Sequence, residues 1–412
     1  MQKHNTVHDK KRVIMSIIDT ENQYSAHNYL PLPIVIVRAR GVHVWDDKGK
    51  RYFDMMSAYS AVSHGHLHPR LVSALSTQLT QLTVVSRAFY TDKLAPFLKK
   101  ACELSGQDKA IPMNTGAEAV ETAIKAARKW AYKVKGVEKD KAEIITCEGN
   151  FHGRTITIVG FSTEEQYKDG FGPFPPGFKN VPFGDADALE SAITPNTAAF
   201  LIEPIQGEGG IILPPEGYLK KCEEICKRNN VLLICDEIQT GLGRTGKLFA
   251  ADHENVKPDG LILGKALGGG MLAVSMFLSR KDVMDVFSPG DHGSTFGGNP
   301  LSAVVGLEAL KLTVEKQLPE VANTLGEHFM KSLKQMKSPL IKEVRGKGLL
   351  IGVEINSEIA SAREVCEVLM SKGLLTKETH ETVVRFAPPL TTTKIELDGA
   401  LAIIKETFES FS

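Results

Sequence analysis

Short apolar runs alternate with amphipathic stretches through the middle of the chain. The runs are "KAIPMN", "AEIITC" (142–147), "AAFLIEP" (198–204), "VLLICDE" (231–237) and "DGLILGK" (259–265). Continuous runs of this length read as strands buried on both faces. "GAEAVETAIKAARKWAYKV" and "EGYLKKCEEICKRNN" separate some of them, with apolar residues at helical spacing. Strands alternating with helices predict a doubly wound α/β domain, with a mostly parallel sheet and helices on both faces. Ligands of such a sheet sit at the carboxyl ends of its strands.

The flanks carry a different pattern. "GVHVWDDKGKRYFDM" (41–55) predicts a hairpin with Asp47, Lys48 and Gly49 at its turn. "HPRLVSALSTQLTQL" (68–82) predicts a helix entered through Pro69. After residue 300 comes a long helical region with a break expected at Pro319. It is followed by "IKEVRGKGLLIGVEI", a helix near 360–372, "GLLTKE", "TVVRFAP" and a last helix near 394–410. Segregated strands and helices predict a smaller α+β domain. The expected division is an N-terminal segment, 1–55, packing with the small domain; a large domain, 56–300; and the C-terminal small domain, 301–412.

Composition narrows the possibilities. A chain of 412 residues has room for two or three domains without disulfide or metal staples. With 42% hydrophobic and 24% charged residues, it is not a mostly disordered chain. Lys plus Arg and Asp plus Glu both number 49, so the broad cationic footprint of a nucleic-acid binder is missing. No apolar stretch approaches the length of a membrane span. The first twenty residues lack a long apolar core and a cleavage site, and Asp9 and Asp19 flank their only arginine, Arg12. Neither a secretory nor a mitochondrial leader is expected. Six cysteines in a chain this long suit reduced thiols and a cytoplasmic setting.

Two strand ends carry the candidate chemistry. Asp236 closes "LLICD" and Lys265 closes "GLILGK", so both are expected in one crevice. Such a pair is either a structural ion pair or an acid and an amine at work. "ALGGG" (266–270) after the lysine lets a bulky group approach the backbone. A lysine with an acid suits pyridoxal 5'-phosphate (PLP), which needs an amine for its aldehyde and an acid for its ring nitrogen. Gly116 and Ala117 in "MNTGAEAVETA" would give its phosphate a helix N-terminus; the plainer reading is a capping box of Thr115 and Glu118. Phe151 in "GNFHGRT" (149–155) would cover the ring, or is simply a core phenylalanine.

Other motifs point elsewhere only superficially. "GLGRTGK" (241–247) has the spacing of a phosphate-binding loop, but Leu248 stands where Ser or Thr must hold Mg²⁺. "HGHLHP" (64–69) has no matching cysteines or carboxylates, so a structural or cleft-lining role is expected and no metal site. Cys222 and Cys226 read as buried thiols on one helix.

"MNTGAEA", "EPIQGEGG", "DEIQTGLGRTGK", "LGKALGGG" and "HGSTFGGNP" occur in this order. With "AHNYLPLP" (26–33) and "RFAPPL" (385–390) they span nearly the whole chain, and together they resemble the class-III aminotransferases of the type I PLP-dependent fold. "AHNY", "SAYSAV" (57–62), "VSRAFY" (85–90) and "EVRGKGLL" (343–350) resemble the branch acting on ornithine. The resemblance implies that Lys265 carries the cofactor and shuttles a proton, while Asp236 keeps the pyridine nitrogen protonated. It implies that Gln239 meets the phenolic oxygen, Phe151 stacks on the ring, and Gly116 and Ala117 cradle the phosphate. Thr295 would serve the other subunit's phosphate, which implies a homodimer with shared active sites. Arg154 and Arg385 would grip carboxylates, and Glu208 would cover Arg385 until a second carboxylate arrives. Tyr29 and Tyr59 would present ornithine by its terminal amine.

The implied reaction moves the δ-amino group of L-ornithine to 2-oxoglutarate. It gives L-glutamate and glutamate 5-semialdehyde, which cyclises to pyrroline-5-carboxylate. Three features depart from the ornithine pattern: Gly209-Gly210 after Glu208, "GGGMLAVSM" (268–276) without an aromatic-Pro pair, and His152 where tryptophan is frequent. N-acetylornithine and 4-aminobutyrate therefore stay open as donors. An aminomutase or a non-catalytic ligand-binding protein on this scaffold are the more distant alternatives.

Overall fold

The computed structural model describes residues 16–411. The leader reading, with Asp9 and Arg12, and the start of the segment 1–55 lie outside the described residues. The central sheet has seven strands, in the spatial order Lys109–Met113, Ser275–Ser279, Gly260–Leu263, Leu232–Asp236, Thr197–Ile202, Glu143–Cys147 and Phe178–Val181. Only Ser275–Ser279 runs antiparallel to its neighbours; the pairs from Gly260–Leu263 outward to Phe178–Val181 are parallel.

Side chains alternate across this sheet, and each face has its own core. Leu232 and Ile234 meet the helix Gly116–Trp130 through Ala119, Val120, Ala123 and Ala127. Leu233 and Cys235 share the other core with Cys222, Ile225 and Cys226 of the helix Tyr218–Arg228. Period-two alternation with apolar residues on both sides explains why the strand reads as an unbroken run. The alanines let the first helix lie close to the sheet. Cys222 and Cys226 are free, buried thiols, as expected.

The hairpin His43–Asp46 and Arg51–Asp54 forms where expected. Asp46 Oδ1 accepts the amides of Lys48 (3.0 Å) and Lys50 (2.8 Å) across its turn. Leu374–Leu375 adds to Arg51–Asp54 in parallel, and the Arg363 guanidinium donates to the Leu30 and Pro31 carbonyls at 3.1 and 3.0 Å. The first helix beyond Asn299, Pro300–Glu315, packs Val305, Ala309 and Leu312 against Leu71, with Ala303 and Leu310 in a core of the larger sheet. The chain turns at Gln317 (φ 51°) and joins the smaller core from Leu318, beyond the expected boundary at 300/301. Pro319 lies in the first turn of the helix Leu318–Lys334, where its missing amide costs nothing. This helix, Ala362–Ser371 and Lys394–Glu409 share a core with a second, antiparallel sheet of Ile341–Lys347, Leu350–Ile355, Val383–Phe386 and Lys377–Thr379.

The loop "GLGRTGK" is where the two cores cross. Arg244 is fully buried and donates to the carbonyls of Leu349 (3.0 Å) and Pro388 (2.6 Å) and to Ser63 Oγ (2.9 Å). Burial lowers its guanidinium to about 9, still charged near neutrality. A Cβ on Gly348 would stand 2.4 Å from the Thr245 carbonyl carbon. The glycines therefore permit a close backbone crossing. The histidines of "HGHLHP" part ways: His64 Nε2 meets the Ala309 carbonyl and Thr313 Oγ1, and His66 pairs with Asp54. Among the described residues, no helix is long and apolar enough to cross a membrane.

Candidate active site

The carboxyl ends of the central strands open into a cavity of about 210 Å³. Gly116, Ala117, Phe151, Asp236, Gln239 and Lys265 all line it, and Glu208 closes one side. Asp236 is the last residue of its strand. Lys265 is displaced from the expected strand end: its strand stops at Leu263, and Lys265 opens the following tight turn at φ 42°. That conformation costs a non-glycine residue roughly 1–3 kcal/mol, and such strain collects at functional sites.

Each wall suits a different part of PLP. The helix Gly116–Trp130 begins at the cavity, so the Gly116 and Ala117 amides have no preceding helical carbonyl to meet. Thr115 and Glu118 form the capping box as well, which uses their own amides and leaves those of Gly116 and Ala117. Small residues let the walls pack closely here. A Cβ on Gly116 would touch Ile238 at 2.9 Å, and one on Gly153 would touch Ala117 at 2.9 Å. Asp236 supplies a buried acid, Lys265 an amine, and Phe151 and Ile238 apolar surface. Gln239 Oε1 is buried without a hydrogen-bond partner. A flat, polar, anionic ring compound fits this set, and the residues present fit PLP.

The electrostatics are built from buried charges. Burial lowers the Lys265 amine; Glu208 pulls the other way and Arg385 reinforces the drop. His152 Nδ1 meets Asp236 Oδ2 at 2.7 Å, and the Ile238 amide donates to Asp236 Oδ1 at 3.1 Å. Burial opposes charge on His152, but Asp236 raises the imidazole above its ordinary value. Glu203 accepts the amides of Phe151 (2.9 Å) and Gly207 (3.3 Å), and burial pushes its carboxyl up to about 7. Neither His152 nor Glu203 was assigned a role from the sequence. The adjacency of His152 to Phe151, and of Glu203 to the strand end at Ile202, were the only signals.

Arg385 Nη1 and Glu208 Oε1 pair at 2.6 Å, with the arginine side chain 2% exposed. Burial would raise the Glu208 carboxyl, but Arg385 and Lys265 hold it down to about 2. Gln239 Nε2 donates to the same carboxylate at 3.1 Å. The Arg385 guanidinium lies 4.7 Å from the Tyr59 ring centre. Tyr59 gets there on a left-handed turn: Ser57, Ala58, Tyr59 and Ser60 all have φ between 45° and 77°. Asp54 Oδ1 braces it by accepting the Met56 and Ser57 amides at 3.0 and 2.9 Å.

Of the expected site residues, Arg385, Tyr59, Arg154, Tyr29 and Thr295 do not line the cavity; Arg385 reaches it through Glu208, and Tyr59 packs on Arg385. Arg154 lies beyond Phe151, 5.5 Å from that ring's centre. Tyr29 is 68% exposed. Thr295 is exposed and does not line the cavity of its own chain.

Glu237, the neighbour of Asp236, turns away from the cavity and accepts Thr240 Oγ1 (2.5 Å) and the Ala251 amide (2.9 Å). Burial pushes its carboxyl from 4.5 up to about 7. Between those values the unfolded chain has released a proton that the folded one keeps. Folding stability therefore falls as pH rises from 4.5 to 7, by up to about 3 kcal/mol. Urea unfolding of Glu237→Gln across this range should show a flatter pH dependence than the parent. An unchanged slope would mean that Glu237 titrates normally.

Residues 24–408 match the family described as Aminotransferase class-III. The ornithine aminotransferase of Geobacillus sp. (strain WCH70) is 58% identical over 392 residues, covering 95% of this chain and 98% of that protein. The ornithine aminotransferase of Toxoplasma gondii, crystallised with oxidised glutathione and holding PLP at partial occupancy in its active site, superposes with a TM-score of 0.94 at 46% identity. It covers 95% of this chain and 93% of its own. The acetylornithine aminotransferase of Elizabethkingia anophelis superposes with a TM-score of 0.87 at 47% identity, covering 95% and 98%. With a cavity that fits PLP at the strand ends and a match along nearly its full length, the chain belongs to the class-III aminotransferases.

Proposed function

We propose that this protein transfers the δ-amino group of L-ornithine to 2-oxoglutarate, giving L-glutamate and glutamate 5-semialdehyde, which cyclises to pyrroline-5-carboxylate. One observation carries the reading: Arg385 is capped by Glu208, whereas Arg154 has no carboxylate partner among the described residues. A site with one free and one capped guanidinium suits a donor with a single carboxylate and an acceptor with two. The Geobacillus relative supports ornithine as the donor.

The residues divide the work by position. Arg154, outermost, grips the carboxylate far from the reacting carbon with its fork of N–H donors. For ornithine this is the α-carboxylate, which directs the terminal amine inward to Lys265. PLP, when bound, supplies the aldehyde that takes up the amino group and the sink for the electrons left on carbon. Asp236, paired with His152, would keep a proton on the ring nitrogen, and Gln239 would meet the phenolic oxygen. Phe151 would cover the ring, and the Gly116 and Ala117 amides would hold the phosphate. Lys265 Nζ would take the proton from Cδ of ornithine and hold it for return. Glu208 keeps Arg385 paired while ornithine is bound. When 2-oxoglutarate enters, its carboxylate beside the reacting carbon replaces Glu208 on Arg385. Tyr59 and Tyr29 flank the incoming donor.

We further propose a homodimer in which Thr295 serves the partner's phosphate site. Its support is the exposed apolar surface of Phe296, Phe89, Tyr90 and Leu67, which a monomer would leave in water. Six free cysteines, five of them buried, suit a reducing compartment, and we place the enzyme in the cytoplasm.

The test mixes the protein with PLP, 2-oxoglutarate and, separately, L-ornithine, N-acetylornithine or 4-aminobutyrate, and weighs the products. Pyrroline-5-carboxylate should dominate. Faster turnover of N-acetylornithine would move the assignment to the activity named for the Elizabethkingia relative. Turnover of ornithine without 2-oxoglutarate would mean an aminomutase.

A further inference from the structure

Arg154 is held in an unusual way for a residue expected to meet a carboxylate. Several other buried or half-buried arginines are ordered by acids: Arg385 by Glu208, Arg345 by Glu343 and Glu354, Arg280 by Asp259 and Asp282. Arg154 has no such partner among the described residues. Its guanidinium carbon lies 3.5 Å from the ring centre of Tyr167 instead. Tyr167 ends the single turn Glu165–Tyr167 and is half-buried. Its ring also meets Phe151 edge to face, with centres 6.2 Å apart and planes at 83°. One aromatic ring thus touches both the arginine and the phenylalanine that lines the cavity.

We propose that Tyr167 is a positioning residue for substrate recognition, a neutral platform that orders Arg154 without neutralising it. This deepens the proposed function and rests on its assignment of Arg154 to the far carboxylate. The physical reason is a choice between ways to order a long, flexible cation. A carboxylate partner would hold the guanidinium, but it would occupy the same N–H fork that the substrate needs. The face of an aromatic ring attracts the cation through its π electrons and leaves the edge of the fork open. The arginine is then ordered before the substrate arrives, and less side-chain freedom is lost on binding. Burial raises the Tyr167 phenol above its ordinary value, so the ring stays neutral through the working range. No hydrogen bond of its hydroxyl is needed for this role, so phenylalanine should replace it.

Both substrates present a carboxylate far from the reacting carbon, so both should feel the loss of the platform. The experiment compares wild type, Tyr167→Phe and Tyr167→Leu, each saturated with PLP. For Tyr167→Leu, KM for ornithine and for 2-oxoglutarate should both rise, roughly 3- to 30-fold, with kcat within about threefold of wild type. Tyr167→Phe should restore both KM values to within twofold. PLP affinity, read by absorbance titration, should be unchanged in both variants. KM values within twofold of wild type in Tyr167→Leu would overturn the proposal. So would a fall in PLP affinity that parallels the kinetic loss, because Tyr167 would then be supporting Phe151 rather than Arg154. A Phe variant as impaired as Leu would also overturn it, by assigning the effect to the hydroxyl. If wild type does not use ornithine, the donor assignment fails separately. The 2-oxoglutarate KM, measured with whichever donor is used, then still decides the role of Tyr167.

Discussion

Lys265→Ala should lose about four or more orders of magnitude in turnover, the scale seen when a covalent nucleophile is removed. The proposed mechanism puts two functions on this one amine. It is buried at the carboxyl end of the sheet, where its lowered proton affinity leaves more of the free amine for attack on an aldehyde. Among the described residues it is also the only lysine lining the cavity, so the proposed mechanism gives it the transfer of the substrate proton. Lys265→Arg keeps the charge but not the nucleophile, and should be as inactive as alanine. Borohydride treatment of the PLP-loaded wild type should fix the cofactor to the peptide containing Lys265, and to no peptide in either variant. Circular dichroism checks that both variants fold. Substantial activity in either one would remove Lys265 from the chemistry.

Glu208→Ala should change which donors the enzyme prefers. The Arg385 side chain is almost wholly buried, and Glu208 is its only acidic partner among the described residues. Removing one member of a buried pair leaves a charge uncompensated at a cost of about 3–5 kcal/mol. A donor that brings a second carboxylate recovers that loss, and ornithine does not. The ratio of kcat/KM for glutamate to that for ornithine should therefore rise by on the order of 10²-fold, the lower end of that energy range. Glu208→Gln should give a smaller change, because its amide oxygen still accepts from the guanidinium. A ratio within twofold of wild type would take the switch out of the mechanism and leave Glu208 a structural partner.

Contacts local in sequence were legible, and distant ones were not. The runs ending at Asp236 and Lys265 announced buried strands, because a strand sandwiched between two cores has no polar face to show. The capping box at Thr115 and the hairpin turn at Asp47-Lys48-Gly49 are likewise settled within a few residues. Ser275–Ser279 went unnoticed as a strand because the glycine-rich stretch before it looks like loop. The left-handed turn at Ser57–Ser60 carries no glycine to mark it. Asp54 and the packing of Tyr59 on Arg385 hold it there, and the second of these contacts crosses more than half the chain. Arg244 looked like part of a phosphate loop because its partners, Ser63, Leu349 and Pro388, are brought together only by the fold. Tyr167 shows nothing in sequence beyond an aromatic in a loop, and its ring matters only because Arg154 lies across it.

The central claim is that nitrogen leaves from the far end of a donor whose only carboxylate is held by Arg154. It is tested most directly by where the nitrogen goes. Wild-type protein, PLP and unlabelled 2-oxoglutarate are mixed with L-ornithine carrying ¹⁵N only at the δ position, and the glutamate formed is weighed. The account predicts that the newly formed glutamate carries the label and that the cyclised product carries none. Unlabelled glutamate, with ¹⁵N retained in the other product, would show transfer from the α position and contradict the orientation assigned to Arg154, Glu208 and Arg385.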